Sequence, residues 1–387
     1  VRIFRGYKAE LNINNTQRAT LLRYSGTARW VWNWGLTRRI KEYKETGKSS
    51  TFFAQLKQLV ALKNTEEYSW LRSVSSRVLL LSLRDLDQAY KNFFRRVKNG
   101  NKTAGFPKLK SRHNGIGGFA LQGSIVVAHN AIKLPCIGWL KLKEHDYIPV
   151  GNVRILSAAV SEKAGHWFVS VQCEEEIVDR KPTKEPIGID LGIKSLAVTL
   201  DGRVFKNPKA LYKSMRKLKR LQRELSRRKR GGKNWKKTKT KLARQHYRVV
   251  NIRKDALHKA TSSITATNKP DSETPNTIVI ENLNVSGMMK NHHLSLAISD
   301  VGFGEFRRQI EYKCSWYGIN LIVADRFYPS SKICSNCGNV NSELKLSDRE
   351  WICSCGSILD RDLNAAINLR NLAITTAGSA ESNACGE

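Results

Sequence analysis

Pro186-Ile187-Gly188-Ile189-Asp190-Leu191-Gly192, running on through Lys194-Ser195-Leu196-Ala197-Val198-Thr199-Leu200, decides how the rest of the chain is read. The apolar run 187–191 is short and bounded by Pro and Gly, and a second β-prone run follows before the turn Asp201-Gly202. The pattern predicts a buried strand, a kink and an antiparallel partner, with Asp190 facing outward at the kink. A single aspartate beside a glycine is more often a turn residue than a catalyst, so Asp190 takes its meaning from its company.

Two more acids end elements further on. Thr277-Ile278-Val279-Ile280 is a β-branched run that stops at Glu281, and Asp360-Arg361-Asp362-Leu363-Asn364-Ala365-Ala366 opens a helical pattern in which Ala366, Leu369 and Leu372 share a face. Asp360 or Asp362 occupies the first turn there, and a helix cap is the plain alternative for such a residue. The predicted order is strand, strand, strand (203–206), helix, strand with acid, helix (303–316), strand (319–324), helix with acid. That is the order of an RNase H-like mixed α/β domain, whose acids meet at one edge of the sheet. Carboxylates gathered this way raise one another's pKa unless a cation sits among them. Magnesium suits hard oxygen ligands, and two ions about 3.5–4 Å apart stabilise both oxygens of an in-line phosphodiester displacement. Asp190, Glu281 and Asp362 are therefore the candidate ligands of two Mg²⁺ ions, and the eight histidines form no tight cluster in sequence that offers another base.

The 387 residues allow two or three domains, and 41% hydrophobic content excludes a disordered polycation. Lys and Arg outnumber Asp and Glu 67 to 33, a formal charge of +34, which points to a polyanionic partner, nucleic acid ahead of an anionic membrane. No apolar run is long enough to span a bilayer, and the opening Val1-Arg2-Ile3-Phe4-Arg5 lacks the apolar core of a signal peptide. The expectation is a prokaryotic cytoplasmic or nucleoid-associated protein with no membrane partner.

Residues 1–14 read as a strand that must pair with something later, and 15–46, 50–63 and 75–98 read as helices, the first carrying the cluster Trp30-Val31-Trp32-Asn33-Trp34. Core packing and base stacking are both open to those tryptophans. Short alternating runs between 118 and 176 predict an all-β, barrel-like module that takes in the first strand. The organisation expected is thus α+β and multidomain: a β-barrel from 1–14 and 101–180, a helical bundle 15–100 inserted in it, and the RNase H-like domain 181–372.

Two basic segments suit a phosphate backbone. Gly105-Phe106-Pro107-Lys108-Leu109-Lys110-Ser111-Arg112 is an irregular turn in which Lys108, Lys110 and Arg112 are the candidate contacts. Residues 213–248 hold seventeen Lys or Arg and one acid, Glu224, and read as a helical hairpin within 210–260, broken at Arg230-Gly231-Gly232-Lys233. So pure a sign repels itself unless a polyanion lies along it. Lys217, Arg220, Arg227, Arg228, Lys229, Arg230, Lys233, Lys236 and Lys237 are the candidates there. Lys290-Asn291-His292-His293 reads as a polar loop.

Four cysteines, Cys136, Cys173, Cys314 and Cys385, are scattered and read as inert thiols. The other four, Cys334, Cys337, Cys353 and Cys355, predict a zinc ribbon over 330–357, directly before Asp362, in which Zn²⁺ staples a segment too small for a core. The second pair has one intervening residue where two are usual. Residues 373–387 are small and polar and read as a disordered tail.

Gly188-Ile189-Asp190-Leu191-Gly192, Ile280-Glu281-Asn282-Leu283, the four-cysteine ribbon and Asp360-Arg361-Asp362-Leu363-Asn364-Ala365-Ala366 together resemble the TnpB family. These are transposon-encoded RNA-guided endonucleases related to type V CRISPR effectors. The likeness extends over nearly the whole chain, including Trp30 and Asn33, the 89–94 helix and Phe106-Pro107-Lys108. It implies a wedge barrel, a recognition bundle and a RuvC nuclease domain with a zinc ribbon. It also implies a guide RNA from the transposon end, one protein per RNA, and cleavage of double-stranded DNA beside a short transposon-adjacent motif. By the family pattern the catalytic acids are Asp190, Glu281 and Asp362, with Asp360 not a ligand. An RNase H-like transposase that joins DNA ends without a guide, and a non-catalytic nucleic-acid-binding repressor, are the rival readings.

Overall fold

The computed structural model describes residues 2–384 except 102, 152, 268, 346 and 347. It divides into two units, 1–176 and 177–387.

In the first unit the opening strand β1 (Arg2–Asn12) leads into α1 (Asn15–Thr46), α2 (Phe52–Lys63) and α3 (Ser76–Lys98), after which come β2 (Gly118–Leu121), β3 (Val126–Ala128), β4 (Ala131–Leu134), β5 (Gly138–Leu142), β6 (Arg154–Lys163) and β7 (His166–Glu176). The strands form one seven-stranded sheet in the order β2-β6-β7-β1-β5-β4-β3. The first strand does find its partners late in the unit. It runs antiparallel to β7 from Arg2↔Glu176 to Leu11↔Trp167 and passes to β5 at Leu11↔Leu142. Ile3, Ala9 and Leu11 lie buried while their neighbours stay more exposed, the period-two alternation of a sheet with one wet face. All seven strands contribute to a single core that also takes Leu21, Tyr24 and Val31 of α1 and Val78 and Leu83 of α3.

The helix α1 starts at a capping box, Asn14 with Gln17, and stops at Gly47 in the left-handed conformation. Arg39 is buried between helices, donating to Gln55 Oε1 at 2.8 Å and pairing with Asp87 at 2.9 Å, which draws that carboxyl below its usual range against the opposing effect of burial. Of the tryptophan cluster, Trp32 belongs to a small buried core with Leu36, Leu86 and Tyr90, while Trp30 and Trp34 stack at 6.3 Å and pack half-buried.

The second unit contains β8 (Ile187–Asp190), β9 (Ser195–Thr199), β10 (Val204–Lys206), α4 (Ala210–Arg227), α5 (Lys233–Ile264), β11 (Thr277–Ile280), α6 (Val285–Met288), α7 (Ser295–Val301), α8 (Phe303–Tyr317), β12 (Asn320–Val323), β13 (Glu350–Ile352), β14 (Ile358–Asp360) and α9 (Arg361–Ala384). Its main sheet is five-stranded, β10-β9-β8-β11-β12, with β8, β11 and β12 parallel, β9 antiparallel to β8, and β10 antiparallel to β9. Alternation along β8 and β11 builds two layers. Ile187, Ile189, Ile278 and Ile280 face α5 and α8, whereas Val279 packs against Leu369 and Ala373 of α9. Gly188 lies on the α9 side, where an added Cβ would sit 2.7 Å from the amide nitrogen of Arg370, so only glycine lets the helix cross the strand this closely.

The helix α9 continues to Ala384, past the end expected at 372. Ala373 is buried against Val279, and the alanines that follow favour the helix, so the disordered tail predicted from 373 is corrected as far as 384. Residues 385–387, with Cys385, lie outside the described residues. The basic hairpin is α4 and α5, joined through Leu218, Leu221, Leu242 and Val249. The α4 N-terminus has no cap of its own. Asp300 of α7 supplies one, accepting from the Leu211 and Tyr212 amides at 2.9 and 3.2 Å. Among the described residues no helix is long and apolar enough to cross a membrane.

Candidate active site and metal centre

Asp190 ends β8, and Glu281 follows the last residue of β11. Because Ile189 and Ile280 are register partners on these neighbouring parallel strands, the two acids leave the sheet at the same level, at its carboxyl edge. Neighbouring strands lie about 4.8 Å apart, and ligands of open α/β sheets bind outside that edge. Asp362 stands in the first turn of α9, the helix that crosses Gly188. Burial first, then the negative charges of Glu281 and Asp362 and, more weakly, Asp360, push the Asp190 carboxyl well above the usual range, and Arg361 opposes the rise. Burial likewise raises Glu281 against the opposing effects of Ser330 and Arg361.

Asp360 does different work. Its Oδ1 accepts the Leu363 amide at 2.9 Å, the bond of an N-cap. Ser330 is a site residue that sequence reasoning missed. It is 4% exposed, and its Oγ donates to Glu281 Oε1 at 2.6 Å. Two buried amides of α9 hold its loop, Asn368 donating to Ser330 O at 2.7 Å and Asn364 to Ile333 O at 2.7 Å. The signal was present as Asn364 and Asn368, one helical turn apart on a face otherwise made of Ala and Leu. Arg349 Nη1, 3.7 Å from Asp362 Oδ1, was missed as well.

Three carboxylates with no sulfur among them are a hard donor set, and their mutual repulsion is what a divalent cation relieves, so the residues fit magnesium. The four ribbon thiols gather so that all Sγ atoms lie within 4.8 Å of one another. Cys334 and Cys355 approach to 3.8 Å and Cys337 and Cys353 to 3.5 Å. A tetrahedron with Zn–S near 2.3 Å has edges of about 3.8 Å, so the single-residue spacing of the second pair does not prevent a four-sulfur site. The Ser357 hydroxyl, 3.2 Å from Cys355 Sγ, and then the Ser357 amide draw that thiol down to about 6. Each pair is a tight knuckle closed by a glycine with positive φ, Gly338 at 77° and Gly356 at 85°.

The basic candidates divide. Lys217, Arg220, Arg227, Lys229, Arg230, Lys233, Lys236 and Lys237 are exposed along the hairpin. Arg228 is instead engaged by Glu224, which also accepts from Thr238 at 3.0 Å. Lys108 and Arg112 are exposed, and Lys110 has its Nζ 3.6 Å from the centre of the Trp32 ring. The turn itself is pinned to α1, with Asn33 exchanging two hydrogen bonds with the Lys110 backbone and Trp32 Nε1 donating to Lys108 O at 3.0 Å. Residues 290–293 form a hydrogen-bonded turn between α6 and α7.

Comparison with known proteins follows the same lines. Residues 168–292 match a family model described as "Probable transposase", and 303–369 match one described as the Cas12f1-like TNB domain. The chain is 36% identical to a Streptomyces pristinaespiralis protein named "Putative RNA-guided DNA endonuclease", covering 100% of this chain and 92% of that one. The chain belongs to the TnpB family. A second TnpB relative, "Putative RNA-guided DNA endonuclease InsQ" of Escherichia coli K12, is 34% identical over 98% of this chain and 94% of its own. The TnpB chain has the fold seen in a cryo-EM structure of the Cas12f1-sgRNA-target DNA complex, at TM-score 0.55 and 17% identity, covering 90% of this chain and 82% of that one. A model described as a helix-turn-helix domain matches 3–48, where this TnpB protein has β1 and one uninterrupted 32-residue helix.

Proposed function

We propose that the chain is an RNA-guided DNA endonuclease of an insertion sequence. It binds a guide RNA from the transposon end, one protein per RNA, and cuts double-stranded DNA next to a short transposon-adjacent motif by hydrolysing a phosphodiester bond. It works at the nucleoid of a prokaryotic cell, where its substrate is. What supports this reading is the placement of Asp190 and Glu281 on adjacent strand ends at the carboxyl edge of one sheet, with the charge of Asp362 acting on Asp190.

Two Mg²⁺ ions would be held by these three acids, and when bound they supply Lewis-acid stabilisation of charge at the attacking and leaving oxygens. The protein's part is placement. Ser330 fixes one oxygen of Glu281, and Asp360 fixes the start of the helix that carries Asp362. Arg361 lowers the carboxyl pKa values of Asp190 and Glu281 and so favours their charged forms. Zn²⁺ would be held by Cys334, Cys337, Cys353 and Cys355 as a structural staple of the RuvC-type domain. The seven strands that share one core are read as the wedge barrel and α1 to α3 as the recognition bundle. The exposed hairpin cations, with Lys108 and Arg112, would track nucleic-acid backbone, while base pairing with the guide reads sequence.

The experiment is to sequence the nucleic acid that survives purification and then offer DNA matching it, with Mg²⁺ and with chelator. Cutting that requires the RNA and the metal, and that Asp190→Ala abolishes while DNA binding persists, is the expected result. A fully active preparation free of RNA would refute it and favour the strand-transfer activity of a transposase.

A further inference from the structure

We propose that Phe327 is a stacking platform for an unpaired base of the DNA strand being cut, a positioning residue for the scissile bond. This rests on the reading of Asp190, Glu281 and Asp362 as the nuclease site. Phe327 is 85% exposed, in the loop that follows β12. A solitary exposed apolar side chain is ordinary on a protein surface. This one differs in how its backbone is held and in what the loop touches.

Asp325 accepts the Phe327 amide on its carboxylate at 2.8 Å and the Tyr328 amide on its carbonyl at 3.2 Å. The next ring, Tyr328, turns inward beside Val279 and Leu369 and donates to Asn368 O at 3.2 Å. Two residues later Ser330 holds Glu281. The backbone on both sides of Phe327 is therefore fixed while the ring stands in solvent, so its display owes nothing to core packing. A site built on rigid supports is what positioning requires.

Reach fixes the partner. Three residues of chain extend at most about 10 Å, so Phe327 lies within roughly that distance of the residue that grips Glu281. Even at the close spacing of a stacked strand, about 3.4 Å per nucleotide, that reach covers no more than about three nucleotides from a phosphate at the acids. Within a duplex both faces of a base are covered by neighbours, so only an unstacked base can take the ring, as on single-strand-binding surfaces. The exposed Arg326 beside it suits the adjoining phosphate. The ring would hold a melted strand still, and it stacks on any base, in keeping with a guide that alone reads sequence.

The test uses the full protein with its copurified RNA and a matching DNA duplex carrying 2-aminopurine one to three nucleotides from the mapped cut, in Ca²⁺ for binding and Mg²⁺ for cutting. Quenching of the probe at one of these positions should vanish in Phe327→Ala and persist in Phe327→Trp. Single-turnover cutting should fall about tenfold or more in the alanine variant with DNA affinity and thermal stability unchanged. Tryptophan should restore the rate and Phe327→Leu should not. Leucine rescue, or an alanine variant that quenches and cuts like the parent, would overturn the proposal. Glu281→Gln should abolish cutting and keep the quench, whereas cutting that survives it would overturn the reading of the acids and this proposal with it.

Discussion

Gly188 of β8 and Ala366 of α9 approach so closely that a Cβ on the glycine would overlap the carbonyl oxygen of the alanine. Because that oxygen belongs to helix backbone, relief requires moving α9 and with it Asp362. Gly188→Ala should therefore destabilise by about 1–3 kcal/mol or more, lowering Tm by about 2 °C or more, and reduce cutting as well. Gly6→Ala, with nothing within 4 Å of the added carbon, serves as the control and should melt like the parent.

The acids should behave as one unit. Asp190→Ala, Glu281→Gln and Asp362→Asn are each expected to lower single-turnover cutting by about a thousandfold or more, and the double variants to lose little beyond the singles, as groups acting together do. Binding of guide and target, followed by gel shift, should be retained. Losses that multiply across the three sites would argue that the carboxylates do not share their ions.

Metal content checks the ribbon. Elemental analysis should find zinc in the parent protein and none in Cys353→Ser, and the loss should lower thermal stability because, among the described residues, the segment's core beside its cysteines is small: Leu344, Trp351 and Leu359. Cys314→Ser, a buried thiol outside the cluster, should keep its zinc.

Lys313 sets a pH dependence. It is 5% exposed, donates to Thr261 Oγ1 and Ser262 Oγ at 2.7 Å each, and burial lowers its pKa to about 8. The unfolded chain holds that proton more tightly, with a pKa near 10.4. The cost to folding is complete below about pH 8 and is relieved as pH rises toward 10.4, since the unfolded state there binds more protons. Relative to Lys313→Met, the parent should gain about 3 kcal/mol of stability across that window, measured by urea unfolding. Parallel stability curves for the two proteins would contradict it.

Along the hairpin, replacing Arg227, Lys236 and Lys237 by Gln should reduce the slope of log affinity against log salt by about 0.7–0.9 for each phosphate no longer neutralised. Arg228→Gln should change the slope less, because Glu224 already engages that guanidinium.

Much of the second unit was readable because its strands are short apolar runs ended by an acid, and both β8 and β11 stop beside the predicted residue. The same logic failed where partners come from far away. Nothing local in Pro329-Ser330-Ser331-Lys332 distinguishes a turn serine from one that grips Glu281, and nothing near Lys110 reveals its place over Trp32, whereas Glu224, four residues before Arg228, is a local partner that the helical spacing offers. α6 and α7 are too short for a period to emerge from a stretch rich in Asn, His and Gly. Nothing in the composition of 374–384 signalled the length of α9, since its Thr, Gly, Ser and Asn are weak helix formers.

The amides of Asn364 and Asn368 have a bearing on any attempt to shorten this chain. A minimal variant that excised the knuckles together with the 330–335 loop would strip both side chains of their acceptors inside a packed helix face. Each stranded amide would cost about 1–3 kcal/mol. Miniaturisation by that route therefore has to rewrite both positions as apolar residues and find Glu281 a new hydroxyl, or leave the loop untouched.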